Sequence, residues 1–169
     1  GLIINTSGIG EVLKPGISCR NLQEGDALIV SAPVGDHGAE IFSRREGIEL
    51  SGDLASDCRQ LWPMVKALFT AGIEPHALRD CTRGGLAAVL HEWAGASQRE
   101  IAIKEGAIPI RDAVAGVCEL LGFEPYHLAN EGMLAMALPP SQAERALEVL
   151  RAQPGGEGAA RIGVVQGEG

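Results

Sequence analysis

Arg79-Asp80-Cys81-Thr82-Arg83-Gly84-Gly85-Leu86 joins an extended segment to a helix. Glu74 to Leu78 lead into it as strand. Leu86, Val89, Leu90 and Trp93 follow at i, i+3, i+4 and i+7, the apolar stripe of an amphipathic helix. Thr82 is expected to cap that helix through its hydroxyl. Two glycines in a first helical turn each cost about 1 kcal/mol relative to alanine, so a close approach of backbone or ligand must require them. Free N–H groups, the positive end of the helix dipole and the Arg83 guanidinium make the turn a natural anion site. A tight strand-to-helix turn packed on a sheet accounts for the same spacing, and the sequence leaves both readings open.

Outward from this joint, strands and helices are interleaved. On the N-terminal side Leu2-Ile3-Ile4 reads as strand, followed by a glycine-rich turn at Ser7-Gly8-Ile9-Gly10. Ala27 to Ala32 reads as a continuous apolar strand buried on both faces. After Pro33-Val34-Gly35-Asp36-His37-Gly38 a short helix runs to about Glu46. Ser51 to Asp57 reads as polar loop, and Pro63 opens a helix from about Trp62 to Ala71, with Gly72 as its stop. On the C-terminal side Ile101-Ala102-Ile103 is a short strand. A helix carrying Val114, Val117, Cys118 and Leu121 on its stripe closes at Gly122, and Met133 to Leu138 form a strand. The last helix starts at Pro139-Pro140-Ser141, where Ser141 and Glu144 fit a capping box, and buries Ala143, Ala146, Leu147 and Leu150. A final strand lies near Arg161 to Val165. The strict period of a doubly wound sheet is missing, so the pattern predicts an α+β layered domain, a mixed β-sheet covered by helices.

With 169 residues, 46% of them apolar, the chain suffices for one domain with a full core. Fourteen basic against 22 acidic residues give a formal charge of −8, which disfavours nucleic acid as a partner. No apolar run approaches the roughly 20 residues of a membrane-spanning helix, and no membrane partner is expected. The four cysteines are widely spaced, with no C-x-x-C pair. That suits a reducing, cytoplasmic compartment better than a disulfide framework or a zinc knuckle. The chain opens on Gly1 and is read as a piece of something longer.

Three further features carry chemistry. Gly35-Asp36-His37-Gly38 repeats the design of the central joint: Asp36 either caps the helix or holds His37 in one tautomer, and His37 suits proton exchange near neutral pH. A capping turn with a surface histidine fits equally. Asn130-Glu131-Gly132 places a carboxylate and an amide just before an apolar strand, where partial burial lets a glutamate act as a general base; a solvated turn glutamate is the alternative. Cys58 and Cys118 read as small core hydrophobes. Cys81 lies between Arg79 and Arg83 near a helix N-terminus, where a thiol pKa should fall. His76 and His127 look isolated, and no residue set has metal-ligand spacing, so no metal site is expected.

Taken together, Val34-Gly35-Asp36-His37-Gly38, Arg45-Glu46-Gly47, Ser56-Asp57-Cys58, the Arg79–Leu86 joint, Ile108-Pro109 and Leu128-Ala129-Asn130-Glu131-Gly132 form a recognisable set. In order and approximate spacing they resemble the C-terminal domain of the HypE family of hydrogenase maturation proteins, in the aminoimidazole ribonucleotide (AIR) synthetase-like superfamily. The likeness covers nearly the whole chain. Cys81 departs from it, standing where the family pattern usually has proline, which bears on the rigidity of the turn.

The resemblance implies a single C-terminal domain over residues 1–169 with the fold of the AIR synthetase C-terminal domain. It also implies that an N-terminal ATP-binding domain and a cysteine-bearing tail are absent from this chain, which would be inactive alone. For the full-length protein it implies a homodimeric enzyme that uses ATP and magnesium to dehydrate a cysteine S-carboxamide to a thiocyanate. The carbamoyl group would arrive from the carbamoyltransferase HypF, and the cyano group would pass to iron on a HypC–HypD complex. By the same carry-over Glu131 takes protons from the carboxamide nitrogen and Asn130 orients that group. Asp80, Thr82 and Arg83, with the Gly84 and Gly85 amides, line the phosphate end, and Asp36 and His37 lie near the same cleft. Competing readings are a selenophosphate synthetase-like or thiamine-phosphate kinase-like enzyme of the same superfamily, and a non-catalytic domain that docks partners.

Overall fold

A computed structural model describes residues 1–48 and 54–168. Its five strands are β1 (Ala27–Val30), β2 (Ala77–Asp80), β3 (Arg99–Ile103), β4 (Leu134–Leu138) and β5 (Ala160–Glu168), joined in one sheet in the order β2-β4-β1-β5-β3. Every pairing is antiparallel, so the expected mixed sheet is corrected in that respect while the α+β layered class stands. The reason lies in the order of insertion. β1, β2 and β3 run the same way and are separated by helices, which in sequence looks like a series of crossovers. The returning strands then slot between them: β4 pairs with both β1 and β2, and β5 with both β1 and β3.

Burial fixes the register. β1 and β4 are buried along their whole length, with Ile29 opposite Met136 and Leu28 opposite Ala137. Leu28 and Val30 face one core with Leu86, Val89 and Trp93 of α3 (Gly85–Ser97). Ala27 and Ile29 face the other, built with α2 (Trp62–Thr70) and α5 (Ala143–Arg151), where Met64, Leu68, Leu147 and Leu150 are buried. A slip of one residue would exchange the two faces and mismatch both cores. Burying each such Leu, Ile or Met stabilises the fold by about 1.5–3 kcal/mol. A third apolar cluster lies between α1 (Asp36–Glu46) and α4 (Asp112–Leu121), where Ala39, Val114, Val117 and Cys118 close around Leu128.

Several local expectations are corrected. Leu2, Ile3 and Ile4 form no strand; they pair with nothing among the described residues, and their side chains are 88%, 93% and 76% exposed. Thr82 does not cap α3. Gly84, at φ 78°, takes the N-cap position without a side-chain bond, and Thr82 instead offers its carbonyl to the Gly85 N–H at 3.0 Å. The capping box of Ser141 and Glu144 does not form, because Ser141 is drawn into a 3-10 turn over Pro140–Gln142 and α5 starts one turn later. Cys58 is exposed rather than core. His76 is not isolated: its Nδ1 lies 2.8 Å from the buried Asp26 carboxylate. The loop expected over Ser51 to Asp57 falls partly outside the described residues.

Candidate functional site

The topology gathers three loops at one end of the sheet. Because β4 runs against β1 and β2, its entry lies beside their exits. The loop before β4 therefore meets the turn after β1 and the joint after β2. Main-chain bonds tie them: Gly38 N–H donates to Ala129 O at 2.9 Å, Asn130 N–H to Cys81 O at 2.9 Å, and Cys81 N–H to Met133 O at 3.3 Å. The glycines make these approaches possible. A Cβ on Gly38 would lie 2.8 Å from Leu128 Cβ, and one on Gly85 only 2.5 Å from Leu128 O and 2.6 Å from Tyr126 O.

Asn130 is fully buried and every polar atom of its side chain is engaged. Its Oδ1 accepts from Gly35 N–H at 2.9 Å, while its Nδ2 donates to Asp57 Oδ2 at 2.9 Å and to Pro33 O at 3.3 Å. The amide thus holds loops together. Asp57, 6% exposed, also accepts from the backbone N–H of Glu131 at 2.9 Å through Oδ1. Glu131 itself is half-buried. His37 Nδ1 and Ser56 Oγ share a hydrogen bond of 2.8 Å. Around Asn130 the structure therefore brings together Asp36, His37 and Glu131, and adds Ser56 and Asp57.

Asp36 lies buried at the start of α1, with Oδ2 3.5 Å from Arg111 Nε and Oδ1 without a partner. Burial raises its carboxyl above the ordinary range; Arg111 opposes the shift, Asp57 adds to it and Arg59 opposes it. Enclosed in this way, Asp36 faces protein rather than the open rim.

In the Arg79–Leu86 joint, Asp80, Arg83 and Gly84 are exposed and Thr82 is half-exposed. Arg79 pairs with Glu92 of α3, whereas Arg83 makes no ion pair among the described residues. Gly85 is buried beneath the 126–128 carbonyls and its N–H is already donated to Thr82. Its role in this structure is to let backbones approach. The lowered pKa expected for Cys81 is reversed: burial first, then the adjacent Asp80 charge, push the thiol up to about 12. Flanking arginines in the sequence could not overcome complete enclosure of the sulfur.

An exposed guanidinium on a glycine turn, with no ion pair among the described residues, is chemically suited to an anion such as phosphate. Magnesium finds no comparable fit, since no group of three or more His, Cys, Asp or Glu gathers among the described residues. Nor, among those residues, is any helix long and apolar enough to cross a membrane. The residue that sequence reading missed is Asp57. It stands within a quoted motif, but nothing local points to partners 73 and 74 residues away.

Comparison with known proteins agrees with this architecture. The chain is 45% identical to carbamoyl dehydratase HypE of Escherichia coli strain K12 over 166 residues, 97% of this chain and 49% of that protein. The crystal structure of hydrogenase maturation protein HypE in complex with ATP superposes with a TM-score of 0.87 at 44% identity, over 92% of this chain and 46% of the other. A HypE–HypF complex gives 0.83 at 35% identity, over 89% of this chain and 49% of that one. The chain therefore spans about half the length of the relatives it matches. Residues 23–169 match the family described as AIR synthase related protein, C-terminal domain, and the chain belongs to that family.

Proposed function

We propose that this chain is the C-terminal part of an ATP-dependent carbamoyl dehydratase of the HypE kind, acting in assembly of a [NiFe]-hydrogenase centre. The observation that carries the reading is the fixed position of Glu131. Its backbone is pinned by Asp57 at the meeting of three loops, in a chain 45% identical to a named carbamoyl dehydratase. The reaction removes water from a cysteine S-carboxamide, R–S–C(=O)NH2, to leave R–S–C≡N. ATP supplies the activation, converting the carboxamide oxygen into a phosphate leaving group. Glu131 takes a proton from the nitrogen as the C–O bond breaks and phosphate departs with the oxygen, the nitrogen lone pair forming the new C–N π bond. His37, held by Ser56, stands ready to take the second proton. Thr82, Arg83 and Gly84 present the polar edge that grips the phosphate, with Asp80 on the same rim as an acceptor for the neighbouring donors of the substrate and Gly85 setting the shape of the turn. Asn130 and Asp36 act from beneath, holding the loops that carry these groups. In the complete protein, we take a homodimer, carbamoyl transfer from HypF and delivery of cyanide to a HypC–HypD complex as the setting.

Glu131→Gln tests the reading. In the complete protein supplied with HypF, carbamoyl phosphate and ATP, thiocyanate formation, followed by the mass loss of one water, should disappear while ATP affinity stays unchanged. Wild-type turnover in that variant would remove Glu131 from the mechanism.

A further inference from the structure

We infer that Asp57 is a positioning residue of the dehydration site, setting the main chain of Glu131 and the amide of Asn130 with its two carboxylate oxygens; this rests on the proposed function. Two donors from adjacent residues converge on one buried carboxylate: Glu131 N–H on Oδ1 and Asn130 Nδ2 on Oδ2, both at 2.9 Å. A charged acceptor makes the stronger class of hydrogen bond, and no neutral side chain of this size offers two acceptor oxygens. The site is shaped for this contact. Gly132 carries no side chain because a Cβ there would lie 1.8 Å from Asp57 O, so the 56–58 segment wedges directly against the loop of the base.

The preceding residue in the chain holds the other proton-handling group, Ser56 meeting His37 at 2.8 Å. Residues 56 and 57 thereby couple two side chains that lie 94 positions apart in the sequence. Asn130 passes the restraint on, since its Oδ1 holds Gly35 N–H next to Asp36 and His37. Asp57 touches no reacting atom in this scheme. It determines where the Glu131 carboxylate can stand.

The test is a reciprocal exchange. In Asp57→Asn one donor meets an amide NH2 instead of an oxygen, and the Glu131 loop is released. In the double variant Asp57→Asn/Asn130→Asp the pair is reversed: the residue-57 amide oxygen accepts from Glu131 N–H and its NH2 donates to the residue-130 carboxylate, which still accepts from Gly35 N–H. The 3.3 Å contact to Pro33 O becomes one between two acceptors, the single bond of the cluster that the exchange does not restore. In the complete protein, Asp57→Asn should lower kcat for thiocyanate formation about 10- to 100-fold, the scale of a small misplacement of a catalytic group. KM for ATP should stay at its wild-type value, and the double variant should recover most of the loss. An Asp57→Asn enzyme with wild-type kcat, one whose defect lies in KM for ATP, or a folded double variant as slow as the single one would each overturn the inference. Should the single variant fail to fold, the double variant decides alone, near-wild-type kcat supporting the role and a folded, slow enzyme refuting it. A wild-type enzyme that forms no thiocyanate defeats the proposed function itself, and the inference with it.

Discussion

Alanine at Gly85 would meet two obstacles at once. The residue sits at φ 64°, where a Cβ costs roughly 1–2 kcal/mol through its clash with the chain's own carbonyl. That Cβ would also stand 2.5 Å from Leu128 O and 2.6 Å from Tyr126 O. Both neighbours are main chain, tied in turn to the Asn130 loop, so they cannot rotate away as a flexible side chain would. Overpacking of this kind costs about 1–3 kcal/mol. Together the effects come to roughly 2–5 kcal/mol, or a fall in Tm of about 4–20 °C for a chain of this size. Gly95 of the same helix is the internal comparison: nothing lies within 4 Å of its would-be Cβ and its φ is not positive. Gly95→Ala should therefore stabilise by about 0.5–1 kcal/mol. Thermal and urea unfolding of both variants beside wild type would read the contrast. A Gly85→Ala protein as stable as wild type would refute the claim that backbone approach is what the glycine provides.

Two other expectations follow from buried ionisable groups. A native carboxyl with a raised pKa keeps a proton that the unfolded chain has released, so Asp36 lowers stability as pH rises through that window and goes on doing so above it. Asp36→Asn should thus have a higher urea midpoint than wild type at pH 7, with the advantage fading as pH falls toward about 4; a difference independent of pH would contradict this. For the cysteines, native protein at pH 8 should be alkylated by iodoacetamide at exposed Cys58 but not at Cys81, whose thiol is buried and pushed up to about 12. Mass mapping of a Cys81 adduct without denaturant would show that the site opens.

Much of the scaffold was legible because it rests on short-range rules. The unbroken apolar run from Ala27 announced a strand covered on both faces, and it is. Ala143, Ala146, Leu147 and Leu150 announced the buried side of α5. What failed depended on long-range placement. The strand directions of β1, β2 and β3 resemble a crossover series until β4 and β5 are placed between them. Cys81 seemed activated by Arg79 and Arg83, but Arg79 turns to Glu92 and the sulfur is sealed from water. In the candidate site the loops carrying His37, Arg83 and Glu131 were readable one by one. The clamp beneath Asn130 and Glu131 was not, because Asp57 meets these partners across more than 70 intervening residues.

The division of labour in the Arg79–Leu86 joint has an evolutionary corollary. The ties are made by main chain, by buried Cys81 and the glycines and by Asn130, whereas the side chains of Asp80, Thr82 and Arg83 make no hydrogen bond or ion pair among the described residues. Mutation can therefore rewrite what the rim grips while the chassis stays intact. A designer seeking a new acyl or phosphoryl specificity would randomise those outer positions first and leave the knot beneath them alone.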